Sequence, residues 1–405
     1  MMFEPASKPR VFAVPCGVDF PRALVEGLRN RSQGQPPEVL ARAELIVNTS
    51  RMARRVRTLF DAGSALLLPR MLMLTDLAQR ATLDGLPPAL PPLRRRLELS
   101  QLIAKLLDAQ PDLASRASLY DLSDSLAALI DEMQGEGVST DAIRDLDVSD
   151  MSGHWARAQA FIGIADEFTG LHEGAMDAQA RQRQVVLNLI EQWQHSPPQH
   201  PIILAGSTGS RGTTLMLMQA IARLPQGAVL LPGYDFDQPD HVWSGLDDPM
   251  ISEDHPQYRF HKLMKDLELS PGDVQPWTES PPVSPERNRL VSLALRPAPV
   301  TDAWMSEGPK LAGLDKAAEN VTLVYRRGRE AMAASRFEQD LAAHQARHAQ
   351  APASAGTRLC AHADGTARQA LRDHRLGIQS LVEPPAGARC HPNVAPVRCR
   401  RPPDS

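Results

Sequence analysis

Two short stretches of this sequence gather the residue types that hold phosphate. Asn48, Thr49 and Ser50 are followed at once by Arg51, Arg54 and Arg55. On a helix, the i, i+3, i+4 spacing of those arginines puts them on one face. A single nucleic-acid strand is held by such groups: hydroxyls, amides and guanidinium groups neutralise or hydrogen-bond its phosphates. The same residues also suit a solvated basic helix face on an acidic protein, and the sequence leaves both readings open. The second stretch is Gly206-Ser207-Thr208-Gly209-Ser210-Arg211-Gly212. Hydroxyls and backbone N–H groups opening a helix can cradle an anion there. A plain tight turn is the other reading.

Neither stretch is an ATP-hydrolysis loop. That chemistry needs G-x-x-x-x-G-K-[ST], with Lys on the β- and γ-phosphates and a hydroxyl on Mg²⁺. The first strand-turn-helix reads Pro15-Cys16-Gly17-Val18-Asp19-Phe20-Pro21. It has no Lys and no hydroxyl, and Asp19 puts negative charge where a phosphate would sit. The 206–212 loop lacks the Lys as well. Phe161 to Glu167 resembles an apolar run ending in Mg²⁺-holding carboxylates, but Trp155, Phe161, Ile162, Ala165, Phe168 and Leu171 recur at helical spacing. Asp166 and Glu167 therefore read as solvated carboxylates on a helix. Cys390-His391 and Cys399 invite a zinc site, yet the chain has no C-x₂-C pair. No metal or cofactor is expected in this chain.

The elements that must position these residues read as α/β. Arg10–Pro15, Ala43–Val47, Leu66–Pro69, Pro201–Ala205 and Ala228–Pro232 are short apolar runs, and most are followed by a polar or glycine turn and a helical pattern. Strands alternating with helices imply a parallel sheet. From Leu93 to Trp193 the strand signal gives way to four amphipathic stretches, which reads as a helical insertion. The expected organisation is a first part of the core over 1–92, the insertion over 93–197, a second part of the core over 198–324, and a basic tail over 325–405. Glu319–Val324 reads as a further strand, and the Pro-rich 271–299 segment as a surface excursion.

Composition sharpens that boundary. Residues 1–324 carry 31 Lys+Arg against 41 Asp+Glu, a net charge of −10, whereas residues 325–405 carry 13 against 7. The last stretch has thirteen Arg, no Lys, one Ile and three of the four Cys. A disordered basic segment fits this composition. An out-of-frame reading of a GC-rich gene fits it better, because the change is abrupt. No apolar run approaches the ~18 residues of a membrane span. The N-terminus shows no secretory pattern, so a cytoplasmic location is expected.

The run Pro201-Ile-Ile-Leu-Ala-Gly-Ser-Thr-Gly-Ser210, a helix ending Ala222-Arg-Leu-Pro225, and Gly227-Ala-Val-Leu-Leu-Pro-Gly233 with Asp235 resemble the AddB family, the B subunits of alphaproteobacterial AddAB helicase-nucleases. Val47–Arg55, Leu68-Pro69-Arg70, Leu122–Met133 and His255–Tyr258 fit the same family, in the same order, from about Val11 to Val324. The resemblance implies a superfamily-1 helicase-like, P-loop-type core with a degenerate nucleotide site, acting as a DNA-tracking scaffold in double-strand break repair. It implies the AddA subunit as ATPase partner, and single-stranded or end-opened DNA as ligand. Family members continue into a second helicase-like domain and a nuclease domain with a cysteine-held iron-sulfur cluster. The tail cysteines lack that cluster's spacing, so the chain is expected to be an N-terminal fragment without nuclease activity. Two other functions are open to the same residues. One is a structural partner of AddA without DNA contact. The other is a small-molecule α/β enzyme with a phosphate loop at 206–212, for which Asp235, Asp237 and His241 are the titratable groups near the strand ends.

Overall fold

The computed structural model describes residues 2–63, 65–79, 86–145, 163–165, 167–168 and 176–321. In chain order the elements are β1 (Val11–Pro15), α1 (Phe20–Ser32), α2 (Glu38–Arg42), β2 (Glu44–Val47), α3 (Ser50–Asp61) and β3 (Arg70–Met73). Then come α4 (Pro92–Ala109), α5 (Leu119–Glu136), α6 (Thr140–Arg144), α7 (Ala178–His195), β4 (Ile202–Ala205), α8 (Gly212–Arg223) and β5 (Gly227–Tyr234). The remainder is α9 (Asp240–Ser244), α10 (Pro249–Ser252), α11 (Tyr258–Asp266), β6 (Gln275–Pro276), α12 (Pro285–Ala294), α13 (Ala303–Glu307) and α14 (Leu314–Ala318).

The strands form one six-stranded sheet in the order β3-β2-β4-β5-β1-β6, and every pairing is parallel. Successive side chains of a strand face opposite sides of a sheet, and both sides are apolar here. Val11, Ala13, Ile46, Ile202, Leu204, Val229 and Leu231 pack with α7, α8 and α11 on one face. Phe12, Val14, Leu45, Val47, Ile203, Ala205, Ala228 and Leu230 pack with α1 and α3 on the other. Burial on both faces is what a parallel sheet requires.

The connections divide by direction. From β1 to β2 and from β2 to β3 the chain moves one way across the sheet, through α1 and α3. From β3 to β4, from β4 to β5 and from β5 to β6 it moves the other way, over the opposite face. Opposite directions on opposite faces keep all crossovers of one hand. The connections leaving β2 and β4 therefore diverge, and the gap between their carboxyl ends is a topological switch point.

The helices α4 and α5 carry a core of their own, with Leu99, Leu102, Ile103, Leu107, Leu126 and Ile130 buried together. Ile164, Ala165 and Phe168 are helical and buried in that cluster, in line with the helical spacing read from the sequence. Glu167 is exposed, and Asp166 lies outside the described residues. Arg95 of α4 bridges Asp131 of α5 and Asp177 at the start of α7, each at 3.0 Å. The last helix of the expected insertion, α7, buries Val185 and Val186 against the sheet.

Three local expectations need correction. The third strand is Arg70–Met73 rather than Leu66–Pro69, and Leu66, Leu67 and Leu68 are exposed. Pro69 has no N–H to give a ladder. Pairing begins one residue later, where the Arg70 N–H donates to the Ala43 carbonyl and the Arg70 guanidinium meets buried Glu44. The 271–299 segment is not a surface excursion, because it supplies β6, α12 and the buried Trp277. Gly27 of α1 makes room for that ring: a Cβ there would stand 2.1 Å from Trp277 Nε1. Finally, Glu319 caps α14 and Asn320 has φ 59°, so these residues form no strand. Residues 322–324 and the whole 325–405 tail lie outside the described residues.

Candidate functional site

The two phosphate-type clusters meet at the switch point. Val47 of β2 and Ala205 of β4 are register partners, so Asn48 and Gly206 leave the sheet side by side. The Asn48 Nδ2 donates to the Gly206 carbonyl at 2.8 Å, across 158 residues of sequence. Gly206 has φ +80°, and its N–H donates to the Leu230 carbonyl at 3.0 Å. A side chain there would press the Phe20 ring at 3.1 Å, so the close turn needs glycine on both counts.

On the β2 side the helix start is built locally. Thr49 is the N-cap of α3, its hydroxyl accepting the Met52 N–H at 3.2 Å. That bond takes up a donor the first helical turn would leave unpaired. Ser50, Arg51, Arg54 and Arg55 are all exposed, while Ala53, Val56 and Phe60 bury the opposite face of the helix. The arginines differ in their surroundings. Arg55 lies 3.7 Å from Asp19, which also meets Arg22 at 3.8 Å. Arg51 and Arg54 make no ion pair among the described residues.

On the β4 side the loop folds on itself. The Gly209 N–H donates to the Ser207 Oγ at 3.3 Å, and Gly209 is buried with φ +68°. Thr208, Ser210 and Arg211 are exposed. The helix start beyond them is occupied. The Gly212 N–H donates to the Glu136 carboxylate at 2.6 Å, and the Thr213 hydroxyl donates to the Gly135 carbonyl at 2.7 Å. A carboxylate at a helix N-terminus satisfies its free N–H groups and its dipole. One donor of the anion cradle expected over Gly206–Gly212, the Gly212 N–H, is thus taken by a carboxylate from the end of α5. No sequence spacing linked Glu136 to Gly212. Gly135 and Gly137 mark the end of α5, but only the packing of α5 against α8 brings Glu136 there.

The end of β1 is closed in a different way. Asp19 caps α1 by accepting the Arg22 N–H at 3.3 Å. The Cys16 thiol donates to the Gly233 carbonyl at 3.0 Å, and Asn288 of α12 donates to the Cys16 carbonyl at 2.7 Å. Burial, reinforced by Asp235, pushes the Cys16 thiol up to about 11, so it is an un-ionised, inert thiol at neutral pH. Gln257 spans the neighbouring strand end: its Nε2 donates to the Gly233 carbonyl at 3.0 Å, and its Oε1 accepts the Asp235 N–H at 3.1 Å.

Among the described residues no side-chain hydrogen bond or ion pair joins the three titratable groups of the enzyme reading to one another. Asp235 accepts the Asp237 N–H at 3.1 Å and so serves its own turn. His241 lies 3.5 Å from Glu307 on α13. Among the described residues no group of three or more His, Cys, Asp or Glu is placed to hold a metal ion. Nor is any helix among them long and apolar enough to cross a membrane.

No protein-family model matches the chain, and no curated protein is significantly similar to it.

Proposed function

We propose that the α/β body is a helicase-like scaffold that holds single-stranded DNA along the carboxyl edge of its sheet and does not itself hydrolyse ATP. The observation that carries this reading is the Asn48–Gly206 bridge. It brings two polar, arginine-bearing loops from distant parts of the sequence to one switch point, where ligands of open α/β sheets bind. Arg51, Arg54 and Arg211 supply exposed positive charge, and Ser50, Thr208 and Ser210 supply exposed hydroxyls. On this reading Arg51 and Arg54 contact phosphates rather than bases, so affinity is independent of sequence. The lack of Lys and hydroxyl at the β1 turn, together with Asp19, supports a scaffold without its own ATP chemistry.

The resemblance to AddB extends the proposal. The chain would be the N-terminal part of an AddB-type subunit, working in the cytoplasm in double-strand break end resection and recombinational repair. The AddA subunit would then supply the ATPase. This chain would need no metal or cofactor for that role.

The rival phosphate-loop enzyme is disfavoured by Glu136, because a substrate phosphate at Gly212 would have to displace a carboxylate already hydrogen-bonded there. The test is fluorescence-anisotropy binding of labelled single-stranded oligonucleotides of several sequences over a range of salt. Binding that is indifferent to sequence and weakens with salt supports the scaffold. Absence of binding at low salt assigns the edge to structure alone and leaves the role of a partner subunit without DNA contact.

A further inference from the structure

At the opposite, amino edge of the sheet, residues 2–10 cross the starts of β1 and β6 as a strap. The strap is clamped by buried Gln226, which accepts the Phe3 N–H at 3.2 Å and donates to the Phe3 carbonyl at 2.8 Å. Beneath it lies a cavity of about 510 Å³, whose lining includes Lys8, Arg10, Arg31 and Asp273. The charges there are unequally compensated. Lys8 and Asp273 form an ion pair at 2.6 Å. Arg10 spends its guanidinium on the carbonyls of Glu4 and Gly227, at 2.6 and 2.7 Å.

Arg31 is different. Its guanidinium stacks 3.7 Å from the Trp277 ring centre and 4.7 Å from that of Phe12. Its Nη1 donates to the Gly27 and Trp277 carbonyls at 3.2 and 2.9 Å. Two rings and two carbonyls thus fix the plane of the group. Both of those bonds use Nη1, and neither Nε nor Nη2 donates to a group among the described residues. Partial burial pushes Arg31 down to about 10. A guanidinium edge held in one plane offers two parallel donors, the geometry that matches a carboxylate or phosphate. Because the fork is already immobilised, an incoming anion need not order it.

We propose that this cavity binds a small-molecule oxyanion, with the Nε/Nη2 edge of Arg31 as its bidentate partner and Trp277 as the platform that holds that edge. The site is independent of the DNA edge, since it lies at the other ends of the strands.

The indole ¹H–¹⁵N resonance of Trp277, assigned with Trp277→Phe, reports on the site in the full chain. It is titrated at constant ionic strength with inorganic phosphate and, separately, with succinate. A saturable shift with either anion is the expected result. The tighter of the two identifies the natural ligand as a phosphate monoester or a carboxylate. Arg31→Lys, which keeps the charge and loses the fork, should weaken binding by at least about tenfold, and Arg31→Met should abolish it. No saturable shift with either anion overturns the proposal. So does unchanged affinity in Arg31→Lys, and that variant decides the matter if Arg31→Met fails to fold.

Discussion

The carboxyl ends of β1 and β2 stand on the same edge of one parallel sheet, and each is followed by a turn and a helix on the same face, yet their chemistry is opposite. At β1 the turn is acidic and plugged: Asp19 caps its own helix, Cys16 is bonded to Gly233, and Asn288 closes over the Cys16 carbonyl. At β2 the turn is open and basic, with Arg51 and Arg54 free of ion pairs among the described residues and the β4 loop alongside. Position at a strand end supplies backbone donors in both cases. What sits next in sequence and what packs on top then decide whether the polar groups there are taken up or left exposed.

Asn288, which closes over the β1 end, belongs to the 271–299 segment, and the largest effect is expected from removing that segment's buried anchor, Trp277. Trp277→Ala deletes a buried ring that contacts Phe12 and Arg31 and whose indole N–H donates to the Leu24 carbonyl at 3.2 Å. A loss of about 3–5 kcal/mol is expected, read as a drop in the urea midpoint. A loss below ~1 kcal/mol would mean that this segment does not hold the β1 end.

At the open end, Arg51→Ala with Arg54→Ala should weaken single-strand binding for all sequences alike. The log–log salt slope should become shallower by about 1.4, roughly 0.7 for each phosphate contact removed. Arg55→Ala should change the slope less, because Arg55 faces Asp19. Equal effects of all three arginines would erase the distinction drawn among them, and an unchanged slope in the double variant would return the helix face to plain solvation.

Glu136→Ala frees the Gly212 N–H. A cost of about 1 kcal/mol is expected, as for loss of a helix cap, measured by chemical denaturation. The same variant should gain weak phosphate binding at the start of α8 that the wild type lacks. If the wild type binds phosphate there equally well, the carboxylate does not block the helix end.

The smallest effect concerns pH. His255 supports the closed side, its Nδ1 accepting the Gln257 N–H at 3.2 Å, and burial holds its pKa below the usual histidine value of 6.5. The folded state therefore favours the neutral ring, whereas the unfolded chain takes up a proton as pH falls through 6.5. Stability present above that pH should be lost progressively below it. In His255→Asn, denaturation midpoints compared at pH 7.5 and 5.5 should show a smaller decrease than in the wild type. An equal decrease would place the sensitivity elsewhere.

Much of the sheet was legible because it is written locally. Four of the expected apolar runs overlap observed strands, and Thr49 before Ser50 announced the start of α3. The errors arose where a local signal competed with pairing. Leu66–Leu68 is the more apolar run, but Pro69 and the Arg70–Glu44 contact set the β3 register one step later. In the Pro-rich 271–299 segment, turn residues masked a buried Trp whose partners lie in α1 and β1.

The candidate site divides in the same way. Residue types and the i, i+3, i+4 spacing of Arg51, Arg54 and Arg55 follow from the sequence alone, since a helix starting at a capped Thr49 has fixed periodicity. The absence of a phosphate-binding lysine at Gly17 follows equally, because that motif is contiguous. Tertiary structure alone decided that Asn48 would meet Gly206, that Asp19 would take Arg55, and that Glu136 would fill the start of α8. Each joins groups far apart in the chain, and their meeting depends on strand order and helix packing. Those are set by the total burial of two sheet faces, which no short stretch of sequence contains.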